Sequence, residues 1–313
     1  MLEACNAPDA TPSPSSEMQG GTAGASGSVA ASGATTTSGG GANAAGASAG
    51  SSTTAGAGSA SQGGSAGDAG SGGATAGGGK AGSAGSAGAS HFSFFVTSVA
   101  ALRRLSGSQD GFGGDLRFKQ ANGLAGADEI CRVIADTSLP GNAKTWRAFL
   151  SATKGPDGKP VNAIDRIGEG PWYDRRGRLF TMNKQGLLQT RPQGADPIII
   201  NDLPNEDGVP NHNPDGTGDI DNHNFLTGSS TLGVLNSMNP ADTCQDWTSS
   251  APDGGKPRCG VTWPRVQFVN WIYALSEGGC APGATPPGAD QGSPGTVGAL
   301  GGYGGFYCFA LTP

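Results

Sequence analysis

Five of the six cysteines, Cys131, Cys244, Cys259, Cys280 and Cys308, lie in the part of the chain after residue 130, and their number limits their chemistry. In an oxidising compartment five thiols close at most two bridges and leave one over. A bridge from Cys131 to Cys308 would tie the start of this region to its end. Cys244 and Cys280 would nest inside it, leaving Cys259 over, although spacing also admits Cys244–Cys259 and Cys259–Cys280 pairs. Arg258 precedes Cys259, and its charge would favour the thiolate. No Cys-x-x-Cys pair occurs, and His212 and His223 are distant in sequence from every cysteine, which argues against zinc.

Oxygen chemistry concentrates elsewhere. Between Arg191 and Lys256 there is no Lys or Arg, while ten Asp and Glu occur. The densest part, residues 201–224, holds Asp202, Glu206, Asp207, Asp215, Asp219 and Asp221 among several asparagines. Calcium takes six to eight hard oxygen ligands on a flexible loop, so these six acids are the candidate calcium ligands. The EF-hand spacing is missing, because the run from Asp215 has no Glu at the twelfth place. The opposite charge collects in residues 131–191, which hold eleven Lys and Arg against five acids. There Arg175, Arg176 and Arg178 follow Trp172-Tyr173, and with Trp172 they form a candidate ligand-binding patch for an anionic glycan.

Catalytic motifs are scarce. No Gly-x-Ser-x-Gly elbow, phosphate-binding Gly-x-x-x-x-Gly-Lys loop or His-Glu-x-x-His helix is present, and no catalytic residue is assigned. His212 and His223 in the acidic loop are the bases a hydrolase would use. Residues 91–313 carry 18 Lys and Arg against 21 Asp and Glu, without the basic excess of a nucleic-acid binder. No run of about 18 apolar residues spans a bilayer as a helix.

These side chains need elements to hold them. Residues 91–99 alternate and then run apolar, which predicts a first strand. Leu124, Ala127, Ile130, Cys131 and Ile134 have helical spacing, ended by Pro140-Gly141. Residues 144–150 predict a second strand, and shorter strands are expected at 179–182, 246–249 and 306–311. Core packing is the expected role of Trp146 and Trp247, while Trp263 and Trp271 sit in a stretch whose spacing allows a helix or a strand.

The first 90 residues are a different polymer: they contain no Phe, Trp or Tyr and 24 of the 57 glycines. Such a segment cannot bury enough apolar area to order itself. Residues 7–90 are therefore expected to be a disordered Gly/Ala/Ser/Thr linker, with a root-mean-square reach of about 50 Å. The order Leu2-Glu3-Ala4-Cys5 resembles the end of a bacterial lipoprotein signal, which makes residues 1–6 an anchor remnant and Cys5 the lipidated residue. The charged and apolar regions of such a signal do not precede it here, and Glu3 departs from the usual small or apolar residue.

Several segments carry a wider resemblance: Phe94-Phe95-Val96-Thr97-Ser98, the stretch from Gly123 to Cys131, Thr145-Trp146-Arg147-Ala148-Phe149-Leu150, Arg166-Ile167-Gly168-Glu169-Gly170-Pro171-Trp172-Tyr173, Cys244-Gln245-Asp246-Trp247-Thr248-Ser249 and Gly305-Phe306-Tyr307-Cys308-Phe309. Together they resemble a bacterial extracellular domain of unknown function, found in spirochaete and myxobacterial lipoproteins and related in fold to endostatin and C-type lectins. The resemblance covers most of residues 92–311. It implies an α+β, C-type lectin-like fold over residues 91–313, with short mixed strands, an early helix and long irregular loops. It also implies the nested pairing of Cys131 with Cys308 and Cys244 with Cys280. The lectin calcium triplets do not carry over, since Leu203-Pro204-Asn205 and Val209-Pro210-Asn211 both lack the first ligand. The expected function is a surface-tethered, non-catalytic binding module for a carbohydrate or an extracellular protein, exported to a bacterial envelope and touching membrane only through its lipid. An extracellular hydrolase built on residues 201–224 and a structural envelope protein are the alternatives.

Overall fold

Residues 302–310 become the longest strand, β8 (Gly302–Ala310), and every one of them is buried. A computed structural model describes residues 91–212, 222–264, 267–286 and 292–313. Strand β8 takes partners on both edges, which is why it reads as a continuous apolar run rather than an alternating one. Against it lie β1 (Phe94–Val96) and β2 (Trp146–Ala148), both antiparallel, and β5 (Asn224–Leu226), parallel. The sheet continues through β6 (Arg258–Val261) and β7 (Leu275–Ser276) in the order β1-β8-β5-β6-β7, with β2 paired to β8 off that path. A separate ribbon joins β3 (Trp172–Tyr173) to β4 (Leu179–Thr181). With helices α1 (Val99–Ser106), α2 (Gly123–Ser138), α3 (Ala163–Arg166) and α4 (Lys184–Leu187), the domain is α+β.

Helix α2 follows its pattern. Asn122 caps it by accepting from Ala125 N, and Leu124, Ala127, Ile130, Cys131 and Ile134 are all buried. Gly126 lets it pass the preceding loop, because a Cβ there would stand 2.0 Å from the Leu116 carbonyl oxygen. The first strand is shorter than expected. It stops at Val96, and α1 begins at Val99 because Ser98 is an N-cap whose side chain accepts from Ala101 N, while Gly107 closes the helix with φ 72°. Val99, Ala101 and Leu102 form its buried face.

The strand expected at 246–249 is also corrected. Cys244, Gln245, Asp246 and Trp247 all have φ between 48° and 64°, a run of left-handed backbone that L-residues adopt at a cost. Its neighbours hold it there. The Asp246 carboxylate accepts from Thr153 N and Thr153 Oγ1, Trp247 is fully buried with its Nε1 donating to Ser151 O at 2.8 Å, and Cys244 is bridged to Cys280.

The core is aromatic. Phe94 stacks on Phe180 with centroids 3.6 Å apart, and Phe309 meets Phe94, Phe149, Phe180 and the edge of Trp172. The two bridges are Cys131–Cys308 and Cys244–Cys280, so the nested arrangement is the one adopted and Cys259 stays a free, buried thiol. The first bridge fastens α2 to β8. Two disulfides fit an oxidising, extracellular environment. Among the described residues, no helix is long and apolar enough to cross a membrane.

Candidate functional site

One face of α2 stands away from the core. Ala125, Asp128, Glu129 and Arg132 repeat at helical spacing along it, facing β2 and the residues before it. Between them runs a groove of about 700 Å³, lined also by Pro156, Val161 and Arg166. Trp146 contributes to the lining, although its ring packs against Phe92 and Phe95 in the core.

Asp128 organises this groove. Its Oδ1 accepts from Ala148 N at 2.9 Å and from Arg166 Nη2 at 2.6 Å, and its Oδ2 lies 3.4 Å from Arg147 Nη1. Arg166 also donates to the Ala148 carbonyl, so both backbone groups of Ala148 on the strand edge are taken. Burial raises the Asp128 carboxyl and lowers Arg166, and their mutual attraction offsets this only in part. Further out, Glu129 and Arg132 form a bidentate pair, and Lys144 Nζ donates to Phe92 O. Four cations, Arg132, Lys144, Arg147 and Arg166, thus face two carboxylates, Asp128 and Glu129. The groove carries an excess of two positive charges on a chain whose net charge is −6.

In the basic segment expected to bind a ligand, Arg175 and Arg178 are bonded within the fold. Trp172 is 1% exposed, held by Phe309 and by its Nε1 donating to Ala310 O, so it offers no platform. Arg178 is bound to the buried Asp174 and donates to Gly208 O, and Arg175 donates to Ser138 and lies over the Phe92 ring. Of the three, only Arg176 is exposed. The buried Asp174 explains this, because its carboxylate also accepts from Arg176 N and Arg178 N and so folds the whole turn around itself.

In the acidic loop the structure turns two expected ligands inward. Asp202 accepts from His212 N at 2.9 Å and pairs with the His212 ring at Nδ1; burial raises its carboxyl. Glu206 accepts from Ser98 N and Ser98 Oγ, and burial pushes it up to about 7. Asp207 is exposed, and Asp215, Asp219 and Asp221 lie outside the described residues, as does Cys5. Among the described residues no group of three or more His, Cys, Asp and Glu is placed to hold a metal ion. His223 stacks on Trp263 at 5.0 Å and is not brought to His212 by any described contact.

Cys259 corrects the expectation of an activated thiol. It is fully buried, and burial together with the nearby Glu277 carboxylate pushes its pKa well up despite Arg258. Its Sγ lies 3.5 Å from Leu275 O and 3.8 Å from Glu277 Oε1. Burial likewise raises Glu277 to about 7, where it accepts from Asn224 Nδ2 and Leu300 N. Neither a scan against protein-family models nor a comparison with curated proteins finds a match to this chain.

Proposed function

We propose that this chain is an exported, tethered binding module with a C-type lectin-like domain, and that its ligand, a carbohydrate or an extracellular protein, docks in the groove between α2 and β2. The carrying observation is the groove itself. It offers about 700 Å³ lined by charged and amide side chains, on a helix cross-linked to the central strand by Cys131–Cys308. A cleft of this size with a few converging polar groups suits recognition of a small or extended polar ligand. The linker of residues 7–90 and the anchor at Cys5 would hold the domain about 50 Å from a membrane surface. Calcium held by the acids of residues 201–224 belongs to the same reading.

The test is binding of the full chain to an array of glycans and extracellular proteins, with and without a chelator, beside an Ala125→Trp variant that fills the groove. Binding by the wild-type chain, lost in the variant while its unfolding midpoint holds, is the expected result. An array blank in both conditions, or binding that Ala125→Trp leaves intact, would overturn the reading. A chelator effect would show that binding requires a divalent cation.

A second reading has its own observation. Asp202 is buried and orients His212 through Nδ1, and the ring is 30% exposed, the relation a general base has to its orienting carboxylate. If the chain hydrolyses an extracellular substrate, His212→Gln lowers the rate at least a hundredfold. A hydrolysis rate that survives His212→Gln removes this reading.

A further inference from the structure

Resting on the groove as the ligand site, we infer that its ligand is a carboxylate-bearing glycan, a chain containing uronic acid residues, and that Arg147 is the residue that grips the carboxylate. Three features of the groove lead there.

The first is the unspent capacity of Arg147. Its Nη1 serves Asp128 and the Trp146 carbonyl, while Nε and Nη2 make no bond among the described residues. Arg166 is spent on Asp128 and Ala148, and Arg132 on Glu129. The Arg147 side chain is 38% exposed, so it presents donors to the groove without desolvating a lone charge. A guanidinium edge with two parallel N–H donors matches a planar carboxylate.

The second is the closed strand edge. A peptide docking beside β2 would need the free backbone groups of its edge. At Ala148 the N–H is held by Asp128 and the carbonyl by Arg166, so strand addition is blocked there and recognition falls to side chains. Gln120, Asn122 and Thr145 in the lining offer donors and acceptors suited to hydroxyl groups.

The third is the size of the charge excess. A surplus of two positive charges beside two fixed carboxylates suits one anionic group per site and disfavours a densely sulfated chain.

The experiment titrates the full chain with a galacturonic acid oligosaccharide, with the same oligosaccharide methyl-esterified, and with a sulfated oligosaccharide of equal length. The acid form should bind, and esterification, which removes the charge and keeps the shape, should weaken it about tenfold or more. Arg147→Gln should cost a similar factor, and Arg147→Lys should recover only part of it because the ammonium lacks the two-donor edge. Added salt should weaken the acid form and leave the ester unchanged. Equal binding of acid and ester, tighter binding of the sulfated chain, or wild-type affinity in Arg147→Gln would overturn the inference. If acid and ester bind equally and Ala125→Trp abolishes both, the groove stands as the site and only the carboxylate assignment falls. If neither binds and the array is blank, the groove reading falls and the inference with it. The ester arm uses the unmodified protein, so the result does not hang on any variant folding.

Discussion

With Cys131 and Cys308 both replaced by alanine, the domain should lose about 5 kcal/mol of stability, and the Cys244→Ala/Cys280→Ala pair should lose about 4. The difference follows from the loops they close, 177 residues against 36, because a longer loop removes more entropy from the unfolded chain. All four cysteines are fully buried, so packing loss adds to both figures. Against the 5–15 kcal/mol typical of a folded domain, about 5 is enough to leave the first variant largely unfolded at 37 °C. Denaturant unfolding of the wild type and both double variants checks this. A Cys131/Cys308 variant as stable as the Cys244/Cys280 variant would show that the long bridge does not act through the unfolded chain. On the proposed reading of the groove as ligand site, α2 supplies its wall and is fastened to β8 by that bridge, so the same variant should lose ligand before it loses all its helix.

What could be read from the sequence was whatever depends on local pattern or on arithmetic. The α2 stripe, the buried Trp146 and Trp247 and the α+β class fall in that group. Helix α1 is hidden because the alternating and then apolar pattern of residues 91–99 reads as one strand, and the change from strand to helix rests on one hydroxyl within it, Ser98, which accepts from Ala101 N. The Cys244–Trp247 turn was hidden for a different reason. Nothing in Cys-Gln-Asp-Trp signals left-handed backbone, and what imposes it is distant in sequence: Thr153 on Asp246 and Ser151 on Trp247.

The candidate site was the least legible part. Charge counting marks the basic segment but not which of its cations are bonded within the fold, as Arg175 is to Ser138 and Arg178 to Asp174. The groove is organised by Asp128 with Arg166, 38 residues away, and by Arg147, none of which stands out in a motif. Asp128, next to Glu129 and four positions before Arg132, reads as one of several surface charges until β2 is laid beside it. The sequence does hold one clue, an Asp and an Arg flanking the Trp146-Arg147-Ala148 strand, but only the pairing of β2 to β8 gives it meaning.

Stability should fall as pH rises from 4.5 to about 7, the reverse of ordinary acid denaturation. Glu206 and Glu277 are both raised to about 7 from 4.5, chiefly by burial. Between those limits the folded chain keeps protons that the unfolded chain has released, so each step up in pH favours unfolding. The stabilisation is complete below pH 4.5 and is lost as pH passes 7. A full shift of this size is worth about 3 kcal/mol for each group. Asp128 and Asp202, also raised by burial, act in the same direction, while the lowered Asp115 and Glu129 act oppositely from more exposed, screened positions. Unfolding midpoints at pH 5 and pH 7.5 should therefore differ in favour of pH 5, and Glu206→Gln with Glu277→Gln should flatten the difference. A midpoint that climbs through this window in the wild type would refute the assignment. The loss should also be local before it is global. Glu206 accepts the Ser98 amide at the start of α1, and Glu277 accepts the Leu300 amide and the Asn224 side chain at the start of β5. Ionising them places two charges in buried, hydrogen-bonded positions, so the protection of the Ser98 and Leu300 amides from exchange should fall above pH 7 while β8 stays protected.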